Sequence, residues 1–229
     1  MTTEDRASQG TAEQPARIAV LDYGIGNLRS AEKAFQHVGA DAFLTSNPET
    51  VAEADAVVLP GVGAFGRCRE ALHDSGLDEV ALDAVASGRP FLGICVGMQL
   101  LYDGSEEAPG SVGLGVLQGG VVRLPSGVRH PQMQWNRLQP RGESRLLQGL
   151  GEHPWMYFVH SFAPELTADT IATCDYGGEV VALAQRDNVF ATQFHPEKSS
   201  AAGLALLANF VSMALEEREA AERVAPGGR

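Results

Sequence analysis

The sequence has few cysteines and few basic residues, and each scarcity excludes a class of protein. Its 229 residues include three cysteines, Cys68, Cys95 and Cys174, which form no CxxC pair, so neither a disulfide framework nor a thiolate zinc site is indicated. Lys and Arg number 17 against 29 Asp and Glu, which gives a net charge of −12. That charge repels phosphates, so we expect no nucleic acid and no anionic membrane as a partner.

Neither end of the chain has a pattern typical of export or membrane insertion. Residues 1–16 are polar and lack the apolar stretch of a signal peptide. Gly203 to Leu215, the most apolar late segment, is shorter than the ~20 residues that a membrane-spanning helix needs. We therefore predict a disordered extension over 1–16, one domain over 17–216, a charged tail over 217–229, and a cytoplasmic location.

The spacing of apolar residues, which make up 44% of the chain, predicts an α/β fold. In the first half, short apolar runs alternate with helical patterns, which is typical of a parallel sheet flanked by helices. From about residue 113 to 194, short β-like runs are separated by turn-forming residues, which favours an antiparallel extension. We predict an open mixed, mostly parallel sheet. The predicted strands are Arg17–Leu21, Asp41–Thr45, Asp55–Leu59, Pro90–Ile94, Val116–Leu124, Trp155–His160, Thr170–Cys174, Val180–Gln185 and Val189–Phe194, and the predicted helices are Leu28–Val38, Ala64–His73, Leu77–Ser87, Met98–Tyr102 and one from Ser199.

One cysteine lies in a pattern that favours a nucleophile. The segment 93–97 reads Gly-Ile-Cys-Val-Gly and falls between a predicted strand and a predicted helix. This is the cysteine form of a nucleophile elbow, in which the two glycines permit a sharp turn and the side chain between them projects. The N-terminus of the following helix favours the thiolate anion of Cys95. A buried structural cysteine is the alternative interpretation of this segment.

A histidine and a glutamate follow the last predicted strand. In an extended backbone, residues two apart face the same side, so His195 and Glu197 are predicted to point together, with Pro196 restricting the backbone between them. A histidine oriented by a carboxylate is suited to general acid–base catalysis. The alternative is a histidine at a strand end beside a solvated glutamate.

A glycine-rich turn, Leu59-Pro60-Gly61-Val62-Gly63, follows another predicted strand. Glycines allow backbone N–H groups to approach an oxyanion, although an ordinary strand-to-helix turn is also compatible with this sequence. Ligands of open α/β sheets bind at the carboxyl ends of strands, where this turn, Cys95 and His195 are all predicted to lie. We therefore expect the three segments to form one site.

Several of these segments, in this order, resemble the class I (triad) glutamine amidotransferases. The resemblance is carried by GICVGMQLL at 93–101, FHPE at 194–197 and LPGVG at 59–63. Within that family, LDYGIGNL at 21–28, PGVGAF at 60–65, VHSF at 159–162 and HPEKS at 195–199 are similar to the glutaminase subunits of imidazole glycerol phosphate synthase, of histidine biosynthesis. The resemblance covers residues 17–216.

The resemblance implies that glutamine is hydrolysed to glutamate and ammonia by a Cys-His-Glu triad. Cys95 would be the nucleophile, His195 the acid and base, and Glu197 its orienting partner. Gln99 lies one helical turn beyond Cys95 and would contact glutamine. The other implied residues are the oxyanion-hole donors Val62, Gly63 and Val96 and the substrate-binding residues Gly61, His160, Ser161 and Phe162.

The resemblance also implies a partner chain and no cofactor or metal. The ammonia would pass to a cyclase partner with a (β/α)8-barrel fold, which makes imidazole glycerol phosphate and an aminoimidazole carboxamide ribotide, in a heterodimer with this chain. Two residues depart from the family pattern: Gln134 stands where Gly is usual, and Phe162 where Tyr is usual.

Two other functions are compatible with the same motifs. One is a glutaminase subunit of another pathway, such as anthranilate, aminodeoxychorismate or carbamoyl phosphate synthesis. The other is a non-catalytic binding module of the same fold. The segments DYGIGNLRS and PEKS favour the histidine pathway, and the presence of all three triad residues favours an enzyme.

Overall fold

The structure is a computed structural model, and it describes residues 14–224. The strands are β1 (Arg17–Leu21), β2 (Asp41–Thr45), β3 (Ala56–Gly61), β4 (Phe91–Cys95), β5 (Gly104–Ser105), β6 (Gly120–Arg123), β7 (Gln132–Arg137), β8 (Gln139–Pro140), β9 (Trp155–His160), β10 (Phe162–Pro164), β11 (Thr170–Asp175), β12 (Glu179–Arg186) and β13 (Val189–Thr192). The helices are α1 (Leu28–His37), α2 (Pro48–Ala52), α3 (Phe65–Asp74), α4 (Leu77–Ala86), α5 (Val96–Leu100) and α6 (Ser200–Val224), with 3₁₀ helices at Arg145–Leu147 and Pro196–Lys198.

Within the described residues, eight strands form one sheet in the order β2-β1-β3-β4-β13-β12-β11-β8. The first five strands are parallel, and the last three join them in antiparallel pairs. A three-stranded sheet, β10-β6-β5, and an antiparallel pair, β7-β9, complete the described β structure. The predicted fold, a mostly parallel sheet with an antiparallel extension, is confirmed.

The central strands are apolar along their whole length because helices cover both faces of the sheet. Every residue of β3 and β4 is buried, as expected for parallel strands that have no solvent-facing side. Helices α1 and α6 pack against each other, and Phe210 of α6 contacts both Phe35 and Phe190, with ring centroids 5.8 Å and 6.2 Å away. These contacts fix the last helix against α1 and against β13, in the interior of the sheet.

The structure corrects two of the predicted domain boundaries. The predicted charged tail over 217–229 is helical as far as Val224, and Arg218 of that segment donates to Asp55 Oδ2 at 3.1 Å and to the carbonyl of Pro15 at 3.3 Å. Ala16, which was assigned to the extension, is fully buried. The rest of the predicted extension, 1–13, and residues 225–229 lie outside the described residues.

Among residues 14–224, no helix combines the length and apolar character needed to cross a bilayer.

The turn between β4 and α5 requires glycine because it touches the end of β3. A Cβ on Gly97 would lie 1.8 Å from the carbonyl oxygen of Leu59, and one on Gly93 would lie 2.9 Å from the carbonyl oxygen of Gly97. Neither contact can relax through a flexible side chain, because both neighbours are backbone. The two glycines of the predicted elbow are therefore required by packing.

We predict that Gly97→Ala destabilises the protein by about 3 kcal/mol or more, since the added methyl group overlaps the backbone of β3. That loss lowers the thermal midpoint by roughly 6–12 °C in a chain of this size. Circular dichroism melting curves measure the change. The control is Gly142→Ala, whose Cβ meets only Ile171 Cδ1 at 3.4 Å. Equal midpoints for the two variants would contradict the packing argument.

Candidate active site

A cavity of about 410 Å³ lies at the carboxyl ends of β3 and β4 and brings the three predicted segments together. The predicted site residues that line it are Val62, Gly63, Cys95, Val96, Gln99, His160, Ser161, Phe162 and His195. The lining residues that the sequence did not predict are Asn27, Glu107, Pro131, Val159 and Lys198. The three segments that we expect to form one site therefore line one cavity.

Cys95 occupies a strained turn at the start of a helix. Its φ of 57° and ψ of −111° lie outside the regions that side-chain-bearing residues favour, as expected of a nucleophile elbow. The residue is 3% exposed, and that small exposed surface faces the cavity. Helix α5 begins at Val96, so the N–H of Val96 is one of the first-turn donors that have no partner inside the helix.

His195 and Glu197 are joined by a hydrogen bond, and His195 has the predicted extended backbone, but the two residues that follow it do not. Strand β13 ends at Thr192, and Pro196–Lys198 form a 3₁₀ turn because proline favours the first helical position. In that turn His195 Nδ1 donates to Glu197 Oε1 at 2.8 Å, and the two side chains are 2% and 4% exposed. The backbone carbonyl of His195 accepts from Ser199 Oγ at 2.6 Å, which fixes the turn.

The surroundings of His195 favour its protonated form. Burial alone would lower the pKa of the imidazole, but nearby Cys95 and Glu197 outweigh burial and raise it to about 10. Within the described residues Nε2 is buried without a hydrogen-bond partner, and Cys95 is the neighbour that does most to raise the pKa. His195 therefore holds a proton on the ring nitrogen that Glu197 does not bind.

A second buried histidine beside the cavity has the opposite protonation. His160 Nδ1 donates to the carbonyl of Phe162 at 2.8 Å, and Nε2 is buried with no partner among the described residues. Burial, together with the nearby charge of His195, lowers the pKa of His160 to about 4 despite the hydrogen bond. At neutral pH His160 is therefore uncharged and directs a lone pair, rather than a proton, from Nε2.

The glycine-rich turn is held by side chains that bind its carbonyl oxygens. Tyr23 Oη donates to the carbonyl of Pro60 at 2.6 Å, and Cys68 Sγ donates to that of Val62 at 3.3 Å. Because the C=O and N–H of a trans peptide point in opposite directions, the N–H of Gly63 points away from Cys68. Within residues 14–224 neither Val62 N–H nor Gly63 N–H has a hydrogen-bond partner, so both are available to a ligand.

Gly61 differs from its predicted role in substrate binding. It does not line the cavity. A Cβ at Gly61 would lie 2.7 Å from the nitrogen of Gly97 and 3.0 Å from Val96 Cβ. Its role is close packing, which brings the turn beside the elbow that carries Cys95.

Gln99 reaches the cavity as its helical spacing from Cys95 predicted. Its Nε2 donates to the carbonyl of Phe162 at 2.9 Å and to Gln193 Oε1 at 3.0 Å. Both N–H groups of the amide are therefore used, and Oε1 is left to accept a hydrogen bond from a ligand.

Glu107 supplies a carboxylate that sequence reasoning missed. Its Oε2 accepts from the backbone N–H of Phe65 at 2.8 Å, at the start of α3. Glu107 follows Cys95 by twelve residues and lies in a segment without regular periodicity, so nothing local in the sequence identifies it. Lys198 could have been noticed, because it directly follows Glu197.

Comparisons with known proteins agree on one family. The family model for glutamine amidotransferase class-I matches residues 19–214. The chain is 50% identical over 197 residues to the imidazole glycerol phosphate synthase subunit HisH of Methanothermobacter thermautotrophicus, covering 86% of this chain and 98% of that protein. It is 47% identical over 207 residues to the protein of the same name from Salinibacter ruber, covering 86% and 95%.

Solved structures share the fold at lower sequence identity. A structure described as glutamine amidotransferase aligns with a TM-score of 0.69 and 23% identity, over 86% of this chain and 98% of that one. The structure of PurLQS from Thermotoga maritima aligns with a TM-score of 0.69 and 18% identity, over 90% and 100%.

We predict that His160 makes the protein less stable as the pH falls from about 6.5 to about 4. In that window the unfolded chain binds a proton at His160 that the folded chain excludes, which removes up to about 3 kcal/mol. The raised pKa of His195 stabilises the folded protein below pH 6.5. That stabilisation is lost only as the pH rises from about 6.5 to about 10, so the two effects do not overlap. Denaturant unfolding at pH 4.5 and 6.5 measures the loss, because the contribution of His195 is retained at both values. His160→Asn, which can still donate to Phe162, should show a smaller loss, whereas an unchanged loss would contradict the assignment.

Proposed function

Since the chain belongs to the class I glutamine amidotransferases and, within them, to the HisH subunits of imidazole glycerol phosphate synthase, we propose that it hydrolyses glutamine and delivers the ammonia to a cyclase subunit. The observation that carries this proposal is the cavity in which Cys95, from one strand end, lies beside the hydrogen-bonded pair of His195 and Glu197, from another. Cysteine, histidine and carboxylate in this order are the groups that acyl transfer through a thioester requires.

In the first step, Cys95 Sγ attacks the side-chain amide carbon of glutamine. The amide oxygen becomes negatively charged as the carbon becomes tetrahedral. The N–H of Val96 directly follows Cys95 at the start of α5, and the N–H groups of Val62 and Gly63 come from the turn after β3, which lines the same cavity. Each such donor stabilises an oxyanion by ~3 kcal/mol in comparable sites.

In the next steps, His195 transfers protons while Glu197 keeps its ring oriented. The proton on Nε2 passes to the departing nitrogen, the C–N bond breaks, and ammonia leaves a γ-glutamyl thioester on Cys95. Nε2 then takes a proton from water, which attacks the thioester and releases glutamate. The hydrogen bond from Nδ1 to Glu197 Oε1 fixes the tautomer through both steps.

The charges of the cavity fit glutamine as the substrate. We assign the α-ammonium group of glutamine to Glu107, whose carboxylate lines the cavity. We assign a donor of the same substrate to Gln99 Oε1, because both N–H groups of that amide are already bonded within the protein. His160, Ser161 and Phe162 form the opposite wall.

An exposed strand beside the cavity is our candidate contact surface for the cyclase, a (β/α)8 barrel by family resemblance. Met133 and Trp135 are 62% and 44% exposed and lie on the same side of β7. Met133 pairs with Val159, which lines the cavity. Ammonia is useful to an acceptor only while it is unprotonated and contained, so transfer across this covered surface suits the reaction. Gln134 lies between Met133 and Trp135 in the sequence, and we propose no contact for it.

We predict that Cys95→Ala abolishes synthesis of imidazole glycerol phosphate from glutamine, because the thioester cannot form. Synthesis from added ammonium salts should persist, since the cyclase reaction does not use the sulfur. Both activities are measured in the reconstituted complex with the cyclase. Equal loss with both nitrogen sources, or glutamine-dependent synthesis that survives the substitution, would contradict the proposed function.

We predict that Glu107→Gln raises the KM for glutamine by about 10- to 100-fold and changes kcat little, because a hydrogen bond to a charged group contributes ~1.5–3 kcal/mol. In this variant, the substituted side chain at position 107 retains an oxygen that can accept from the N–H of Phe65. The control is Glu106→Gln, which changes the same charge in the neighbouring residue. Glu106 also accepts a backbone N–H, from Arg123 at 2.9 Å, but does not line the cavity. Similar KM values for the two variants would exclude the assigned role of Glu107.

A further inference from the structure

A fully buried glutamine, Gln193, contacts the sulfur of the proposed nucleophile. It lies just after β13, two residues before His195, and its backbone N–H donates to the carbonyl of Ala182 at 2.9 Å. Its side-chain Nε2 is 3.8 Å from Cys95 Sγ, within hydrogen-bonding distance for sulfur. None of the proposed catalytic steps involves this amide.

The orientation of the Gln193 amide is fixed by a chain of hydrogen bonds that begins at a backbone carbonyl. The carbonyl of Phe162 can only accept, so the group of Gln99 that faces it at 2.9 Å must be the NH₂. The second N–H of Gln99 then meets the oxygen of Gln193 at 3.0 Å. The opposite side of the Gln193 amide, which faces Cys95, is therefore its NH₂.

An amide that can only donate toward the sulfur favours the thiolate over the thiol. A thiol proton would need an acceptor, and Gln193 offers none to Cys95. Among the described residues, the one acceptor hydrogen-bonded to Sγ is the carbonyl of Val159, at the 4.0 Å limit. A thiolate, by contrast, accepts the N–H of a fully buried amide, and hydrogen bonds to charged groups are strong in such surroundings.

We propose that Gln193 is a further catalytic residue, whose side-chain amide donates to the Cys95 thiolate and stabilises it before glutamine is attacked. Gln99 is then a positioning residue in addition to a substrate contact, because it holds the oxygen of Gln193. This inference rests on the proposed function for the role of the sulfur, but the contact itself can be tested without turnover.

The test is the rate at which iodoacetamide alkylates Cys95 in the full-length chain between pH 5 and 10, with each cysteine followed by peptide mass spectrometry. Iodoacetamide is small and uncharged and reacts with the thiolate. Cys68 and Cys174 are fully buried and serve as unreactive internal references. In Gln193→Leu, which has a similar volume and no donor, we expect alkylation of Cys95 at pH 7 to slow about tenfold or more. The rate profile should also shift to higher pH.

The chain contains a matched control for the loss of a buried amide next to sulfur. Gln132 is also fully buried, and its Nε2 lies 3.7 Å from Sγ of Cys174, outside the cavity. Gln132→Leu removes the same kind of contact, and the alkylation profile of Cys95 should stay where it is in the wild type. Thermal midpoints of both variants establish that they are folded.

A second variant keeps the proposal testable if Gln193→Leu does not fold. Gln193→Glu has the same shape, and its carboxylate oxygen replaces the donor and repels a thiolate, so alkylation at pH 7 should slow further. A wild-type profile in a folded Gln193 variant, or an equal shift in Gln132→Leu, would overturn the proposal. That outcome would leave the proposed function standing, because the function is tested separately by synthesis from glutamine and from ammonium salts in Cys95→Ala.

Discussion

The close packing of Gly97 against the carbonyl of Leu59 is the contact on which the arrangement of the site depends. It allows the turn after β3 to lie beside the elbow after β4, so Val62, Gly63, Cys95 and Val96 line one cavity. Parallel pairing of β4 with β13 then places His195 at the same edge of the sheet. Three strand ends that are distant in sequence are thereby held together by main-chain packing, which side-chain changes at the cavity do not disturb.

Two buried histidines beside one cavity, His160 and His195, differ in protonation because their neighbours differ. Burial disfavours the charge on both rings. His195 has Cys95 and Glu197 as neighbours, and their hydrogen bonds and negative charge raise its pKa, whereas burial and the nearby charge of His195 lower the pKa of His160 despite its bond to a neutral carbonyl. The site therefore contains one protonated and one neutral imidazole, and in the proposed mechanism only the first can donate a proton to the departing nitrogen.

Local patterns predicted those parts of the structure that depend on local burial. Strands β1, β2 and β9 match their predicted bounds because buried strands are continuous or alternating apolar runs. Strand β7 was missed because its residues are largely polar and exposed, and it exists through pairing with β9. The pairing of His195 with Glu197 was predicted on the wrong backbone, since Pro196 begins a 3₁₀ turn. Glu107 reaches the cavity, and Gln193 reaches Cys95, only through tertiary packing, which spacing along the chain does not encode.

The central claim is that Cys95 attacks glutamine while backbone N–H groups receive the oxygen. The most direct measurement is a crystal structure of the complex with the cyclase after reaction with a diazoketone analogue of glutamine, which alkylates the nucleophile and retains the carbonyl group. The account predicts an adduct on Cys95 Sγ whose carbonyl oxygen lies within hydrogen-bonding distance of the N–H of Val96 and of Val62 or Gly63. An adduct on another residue, or an oxygen directed away from these groups, would contradict it.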